Sequence, residues 1–298
     1  MKARANGIEI EYEDYGPNDA PPALLIMGLG AQLTLWPMPM VDQLVERGYR
    51  VIRYDNRDVG LSTKLDHAQT PAMATLVGQM MMGVKPDVPY LIADMAADAV
   101  GLLDALGIDK AHVIGGSMGG MIAQMVAATH PGRVLSLTSI FSTTGNPAVG
   151  QATPEAMAVL TQRPTGDDEE AMVAHGVRAE KVIGSPGYPA DEAELAARVR
   201  RDFRRMHYPA GIARQMAAII ASGDRREALK TIAAPTMVIH GIDDPLVPVA
   251  GGRDTAATIP GAKIVEIPGM GHNLPETLIP QILDAFEEVA RANATVES

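Results

Sequence analysis

Ser117 stands in the stretch Gly115-Gly116-Ser117-Met118-Gly119, directly after the run KAHVI. A Gly-x-Ser-x-Gly pattern can expose a serine hydroxyl where a strand turns sharply into a helix. Glycine suits such a turn because it accepts unusual backbone angles and leaves room for close approach. A nucleophilic serine needs a base, and the base needs a carboxylate to orient it. The chain has seven histidines, and only His272, in IPGMGHNLP, follows the last apolar run. Gly269 and Gly271 leave the backbone there free to form a tight loop. The acid candidate is Asp244, in GIDDPLVP after the run TMVIHG, with Asp243 beside it. An oxyanion formed at the serine would need two backbone N–H donors. Met118, next after the serine, is one candidate, and Leu29, in MGLG at 27–30, is the other.

These side chains need elements to position them. Short, continuously apolar runs at 22–28, 49–55, 110–116, 134–142, 236–241 and 262–269 suit strands buried on both faces. Residues 8–15 alternate apolar and acidic, as in a half-buried edge hairpin. Helical spacing lies between the runs, at 38–47, 93–107, 118–130 and 276–293. The alternation predicts an α/β fold with a mostly parallel central sheet and helices on both faces. Ligands bind such sheets beyond the carboxyl ends of the strands, and Ser117, Asp244 and His272 all fall there. Between about 143 and 230 the pattern turns helix-only, with segments near 154–162, 168–183, 191–206 and 209–222. Pro147, Pro164, Pro186 and Pro209 punctuate it. The expected organisation is a core of 1–142 and 231–298, with 143–230 inserted after a core strand as a helical cap.

Composition narrows the partners. Apolar residues make up 47% of the 298, enough for a sizeable core. A net charge of −11 argues against a nucleic-acid partner. No cysteine is present, which removes disulfides, thiolate metal sites and a cysteine nucleophile. The first sixteen residues hold no apolar signal-like stretch, and no run reaches membrane-spanning length. The expectation is a cytoplasmic protein with a small-molecule substrate and no membrane partner. His67, His175 and His207 show no metal-ligand spacing, and a serine nucleophile with its base and acid requires no metal or organic cofactor.

The stretches MGLG, YDNRDVGLS, HVIGGSMGG, HGIDDPLVP and IPGMGHNLP together resemble the α/β-hydrolase fold superfamily over essentially the whole chain. The pattern is similar to bacterial serine carboxylesterases of the aclacinomycin methylesterase group. The resemblance implies an esterase with Ser117, Asp244 and His272 as triad, the acid being the aspartate directly before the proline. It also implies an acyl-enzyme route on a small or medium-sized apolar ester. A cofactor-free perhydrolase or lyase on the same triad is the alternative, as is a slow-turnover ligand-binding receptor. Where many relatives carry His-Gly in the oxyanion loop, this chain has Met27-Gly28. Asp55, Arg57 and Asp58 are expected to tie loops together. Trp36, His207, Tyr208 and the methionine-rich 73–83 stretch are candidates for the pocket wall, the last read as an extended loop or as core packing. Arg200, Arg201, Arg204 and Arg205 suit a solvated helix end, with carboxylate binding as the other reading.

Overall fold

The apolar runs form strands and the helical spacings form helices in the computed structural model, which describes residues 1–162 and 168–293. Pro164 lies outside the described residues. In chain order the first elements are β1 (Lys2–Ala5), β2 (Ile8–Tyr15), β3 (Pro22–Ile26), α1 (Met38–Glu46), β4 (Arg50–Tyr54) and α2 (Met73–Met81). Next come α3 (Ile92–Ala105), β5 (Ala111–Gly116), α4 (Met118–Thr129) and β6 (Val134–Ile140). A run of helices follows: α5 (Pro154–Thr161), α6 (Glu169–Ile183), α7 (Glu192–Arg205), α8 (Pro209–Ser222) and the short α9 (Arg226–Leu229). The chain then resumes with β7 (Thr236–Gly241), α10 (Val249–Thr258), β8 (Lys263–Ile267) and α11 (Ile279–Ala290).

The eight strands form one sheet in the order β1-β2-β4-β3-β5-β6-β7-β8. β3 to β8 run parallel, and the β1–β2 hairpin joins antiparallel at the β4 edge. Side chains alternate faces along a strand, and both faces are apolar. Leu24 and Ile26 of β3 pack with α3 and α4, whereas Ala23 and Leu25 pack with α1 and α11. Full burial of each such Leu or Ile contributes about 1.5–3 kcal/mol. That two-sided burial explains why the sequence shows continuous apolar runs rather than alternation.

Two stretches depart from the sequence reading. Residues 73–81 are helical, not extended, and bury only Leu76 fully. Met81 and Met82 are 84% and 73% exposed, so this methionine stretch is neither core nor pocket wall. Exposed Met73, Val77 and Met81 blur the helical period, because apolar residues stand on both faces. Helix α10 also went unread, because VAGGRDTAAT combines two glycines with little apolar periodicity.

The loop after β4 is braced by buried charge. Arg57 forms a bidentate pair with Asp98 of α3, both contacts at 2.6 Å. Arg214 of α8 does the same with Asp58, both contacts at 2.9 Å. Bidentate geometry is what makes buried guanidinium–carboxylate pairs tolerable.

His112 lies within β5, its Nδ1 2.8 Å from Ser136 Oγ and its ring edge-on to Tyr49 and Phe286. Burial pushes its imidazole down from the ordinary 6.5 to about 4. The unfolded chain therefore binds this proton first, and stability falls as pH drops from about 6.5 towards 4. A shift of that size corresponds to about 3 kcal/mol. Urea unfolding at pH 7 and pH 4.5 should show that His112→Phe loses less stability on acidification than wild type. An identical pH dependence in the two proteins would contradict this account.

Candidate active site

The elbow at Ser117 is built by close approach. Ser117 stands between β5 and α4 with φ 56° and ψ −122°, a backbone that L-residues rarely adopt. Strain of that kind costs about 1–3 kcal/mol and survives only where the surroundings enforce it. The enforcement is visible. A Cβ on Gly119 would stand 1.9 Å from the carbonyl oxygen of Ile26, and one on Gly115 would stand 2.1 Å from that of Gly119. The Ser117 N–H donates to the Ile140 carbonyl at 3.0 Å, and Ser142 Oγ donates to the Ser117 carbonyl at 2.8 Å. Phe141, itself at φ 38°, packs its ring 4.7 Å from that of His272.

Three strand ends bring the candidate side chains together. His272 Nε2 lies 2.9 Å from Ser117 Oγ, and His272 Nδ1 lies 2.7 Å from Asp244 Oδ2. A carboxylate only accepts, so Nδ1 carries the proton and the Nε2 lone pair faces the hydroxyl. Asp244 Oδ1 accepts the N–H groups of Leu246 and Val247 at 2.8 and 2.9 Å, which fixes the carboxylate plane. Asp243 points elsewhere, accepting the Gly269 N–H at 2.7 Å. His240, inside β7, approaches Asp244 Oδ2 at 3.7 Å but bonds the Val247 carbonyl at 2.7 Å. Burial lowers its pKa, so it stands there as a neutral ring.

The loop carrying Leu29 abuts the serine. A Cβ on Gly28 would sit 3.0 Å from Ser117 Cβ. The Leu29 N–H meets no acceptor among the described residues. Met118 opens α4, so its N–H belongs to the unsatisfied first turn. Both candidate donors therefore belong to segments next to the serine. Asn56 Nδ2 donates to the Met27 carbonyl at 2.8 Å and anchors the loop. Gln215 Oε1 accepts the Gly30 N–H at 2.8 Å, and Asp55 Oδ1 accepts that of Leu33 at 2.7 Å. Burial still pushes the Asp55 carboxyl up despite its donors. Neither Asn56 nor Gln215 belongs to a catalytic motif in the sequence. Asn56 lay inside the quoted YDNRDVGLS, whereas nothing local marks a glutamine in an alanine-rich helix.

A cavity of about 310 Å³ opens over Ser117 and His272. Its walls are mostly apolar, with Leu160, Ile183, Met216 and Ile219 contributed by α5, α6 and α8. One ion pair enters the wall, Arg198 Nη2 to Glu180 Oε2 at 2.9 Å. Other expected wall residues are elsewhere. Trp36 is fully buried beneath the sheet end with α1, because the 3-10 turn at 33–35 swings it inward. His207 stacks on Phe203, and Tyr208 bonds Asp66 and Arg214, so neither faces the cavity. Arg200 and Arg204 pair with Glu169 and Glu170, and Arg205 with Asp55, which leaves them no part in the cavity. Among the described residues no group of three or more metal-ligating side chains converges, and no helix is long and apolar enough to cross a membrane.

Comparison with known proteins bears on the family and the fold. A family profile described as alpha/beta hydrolase fold matches residues 21–277. The chain is 32% identical to rhodomycin D methylesterase DauP of Streptomyces sp. (strain C5), over 87% of each protein. It is also 32% identical to a putative carbamate hydrolase, RutD, of Variovorax paradoxus (strain S110), over 88% of this chain and 89% of that one. Among solved structures, the enol-lactonase from Burkholderia xenovorans LB400 superposes with a TM-score of 0.70 at 26% identity, covering 97% of this chain and 98% of the other.

Proposed function

The chain belongs to the alpha/beta hydrolase fold family, and from that premise we propose that it hydrolyses a small-molecule carboxylic ester through an acyl-enzyme on Ser117. The observation that carries the reading is the continuous Ser117–His272–Asp244 hydrogen-bonded chain beneath an apolar cavity. Its resemblance to methylesterases, carbamate hydrolases and an enol-lactonase favours hydrolysis over the perhydrolase, lyase and receptor alternatives.

In this mechanism Ser117 Oγ attacks the ester carbonyl while His272 Nε2 takes its proton. Asp244 stabilises the imidazolium that forms. The carbonyl π pair moves onto oxygen, and the N–H groups of Leu29 and Met118 bind that charge. Collapse breaks the bond to the alkoxy group, and His272 returns its proton to the departing alcohol. Water, deprotonated by His272, then attacks the acyl carbon; the bond to Ser117 Oγ breaks, His272 returns the proton to Oγ, and the acid leaves. Every step uses side chains and backbone of this chain, with water. Residues 143–230 act as the cap on the 1–142 and 231–298 core, and their helices select the substrate. The expectation of a cytoplasmic enzyme is part of the same proposal.

Ser117→Ala should lower kcat on p-nitrophenyl esters by about 10⁴-fold or more with folding intact, because a triad acts as a unit. Asp244→Asn should cost about 10⁴-fold through the wrong imidazole tautomer, and Asp243→Asn far less. A larger loss in Asp243→Asn would contradict the assignment.

The cavity makes a separate prediction. Ile219→Trp fills apolar volume in its wall, so long-acyl esters should lose about tenfold or more in kcat/KM relative to acetyl esters. An equal loss across acyl lengths would show that substrate binds elsewhere.

A further inference from the structure

Gln215 is fully buried in α8, and its amide makes two bonds at full reach. Oε1 accepts the Gly30 N–H at 2.8 Å, and Nε2 donates to the Arg57 carbonyl at 2.8 Å. These partners fix the amide orientation, since a backbone N–H only donates and a carbonyl only accepts. Gly30 directly follows Leu29 in the chain and has a left-handed backbone, φ +67°. Ile212 of α8 lies 3.0 Å from where a Cβ on Gly30 would stand, so the helix and the loop are in contact. The loop's other end is held from the core, by Asn56 on the Met27 carbonyl. The Leu29 N–H therefore hangs between two anchors, one in the core and one in α8.

Helix α8 also lines the cavity, through Met216 and Ile219. Met216 is the next residue after Gln215. A second tie from the same insert runs in parallel, with Gln32 Nε2 donating to the Asp202 carbonyl of α7 at 2.6 Å. A polar side chain spent on the backbones of two loops, one of them the loop of Leu29, inside a helix that also lines the cavity, couples that loop to the cavity wall.

We propose that Gln215 is a positioning residue for oxyanion stabilisation: through Gly30 it sets the Leu29 N–H and makes that donor's placement depend on where α8 sits. This rests on the reading of Leu29 as an oxyanion donor. Such donors sit about 2.7–3.1 Å from the developing charge and must be held within about 0.5 Å of that position. A substrate that seats α8 well is then rewarded in kcat and not only in KM.

The test uses an aryl trifluoromethyl ketone, followed by 19F NMR against pH, beside kcat and KM on one p-nitrophenyl ester. Ser117 Oγ adds to the ketone carbon, the π pair becomes the hemiketal oxygen's charge, and the serine proton passes to His272. In wild type the bound hemiketal should stay ionised to a pH well below that of the free ketone hydrate. Gln215→Met keeps the side-chain volume but removes both bonds. It should lower kcat about tenfold at little-changed KM and raise the hemiketal pKa by about one unit, the equivalent of that tenfold. Gln215→Asn keeps the amide but is one methylene shorter, so it cannot span the Gly30 N–H and the Arg57 carbonyl together. It should lower kcat and raise the hemiketal pKa in the same direction as Gln215→Met, at little-changed KM. If Gln215→Met does not fold, this second variant decides alone: a raised hemiketal pKa supports the proposal. Loss of stability with an unshifted hemiketal pKa in either variant would overturn it and leave the proposed function standing. A wild-type adduct that gains no ionisation over the free hydrate would overturn the oxyanion reading and this inference together.

Discussion

The site depends on one strained backbone. Ser117 can hold φ 56° and ψ −122° only because α4 presses against the end of β3, with Gly119 at the Ile26 carbonyl. That contact leaves no room for a Cβ, and the resulting turn lifts the hydroxyl clear of the sheet. The same packing sets the Met118 N–H at the start of α4 and brings the 27–30 loop beside the serine. Nucleophile and candidate donors are thus consequences of a single close approach. The parallel sheet then supplies the other two groups, because β7 and β8 end on the same edge as β5.

The helices between β6 and β7 are joined to that edge by polar contacts rather than by apolar packing alone. The His272 N–H donates to the Ile183 carbonyl at 2.7 Å, at the end of α6. Ser185 Oγ accepts the Gly271 N–H at 2.9 Å. Thr153 N–H reaches the Pro245 carbonyl at 2.8 Å, in the loop that carries Asp244. The loops bearing His272 and Asp244 each touch this segment, and Gln215 adds the loop bearing Leu29. Hydrogen bonds are directional, so they set position where apolar contact would only set proximity. A segment that builds the cavity wall is in this way also part of what holds the reactive groups.

The sequence revealed the core well because its signals are local. Runs such as PALLI and TMVIHG are apolar throughout since both faces of the sheet are covered, and the glycines around Ser117 mark a contact that any side chain would break. Their spacing carried Ser117, Asp244 and His272 to one edge. What stayed hidden was three-dimensional. Asp243 and Asp244 differ only in which way the loop turns after β7. Trp36 looked like a pocket residue by chain proximity, yet a single 3-10 turn sends it inward. Arg198 and Glu180 meet across α6 and α7, and Gln215 meets Gly30 from 185 residues away. No periodicity encodes such pairings. The 73–81 helix is hard to read for another reason: methionine and valine stand on its exposed face as leucine does on its buried one, so the two faces carry similar letters.

The central claim is covalent: an acyl group passes through Ser117. The most direct measurement is rapid acid quench of a slow-turnover ester, followed by peptide mass spectrometry. The account predicts an added acyl mass on the peptide containing Ser117, formed within one turnover and lost as the acid appears. Acid appearing with no adduct at any time, or with the acyl mass on a different residue, would contradict it.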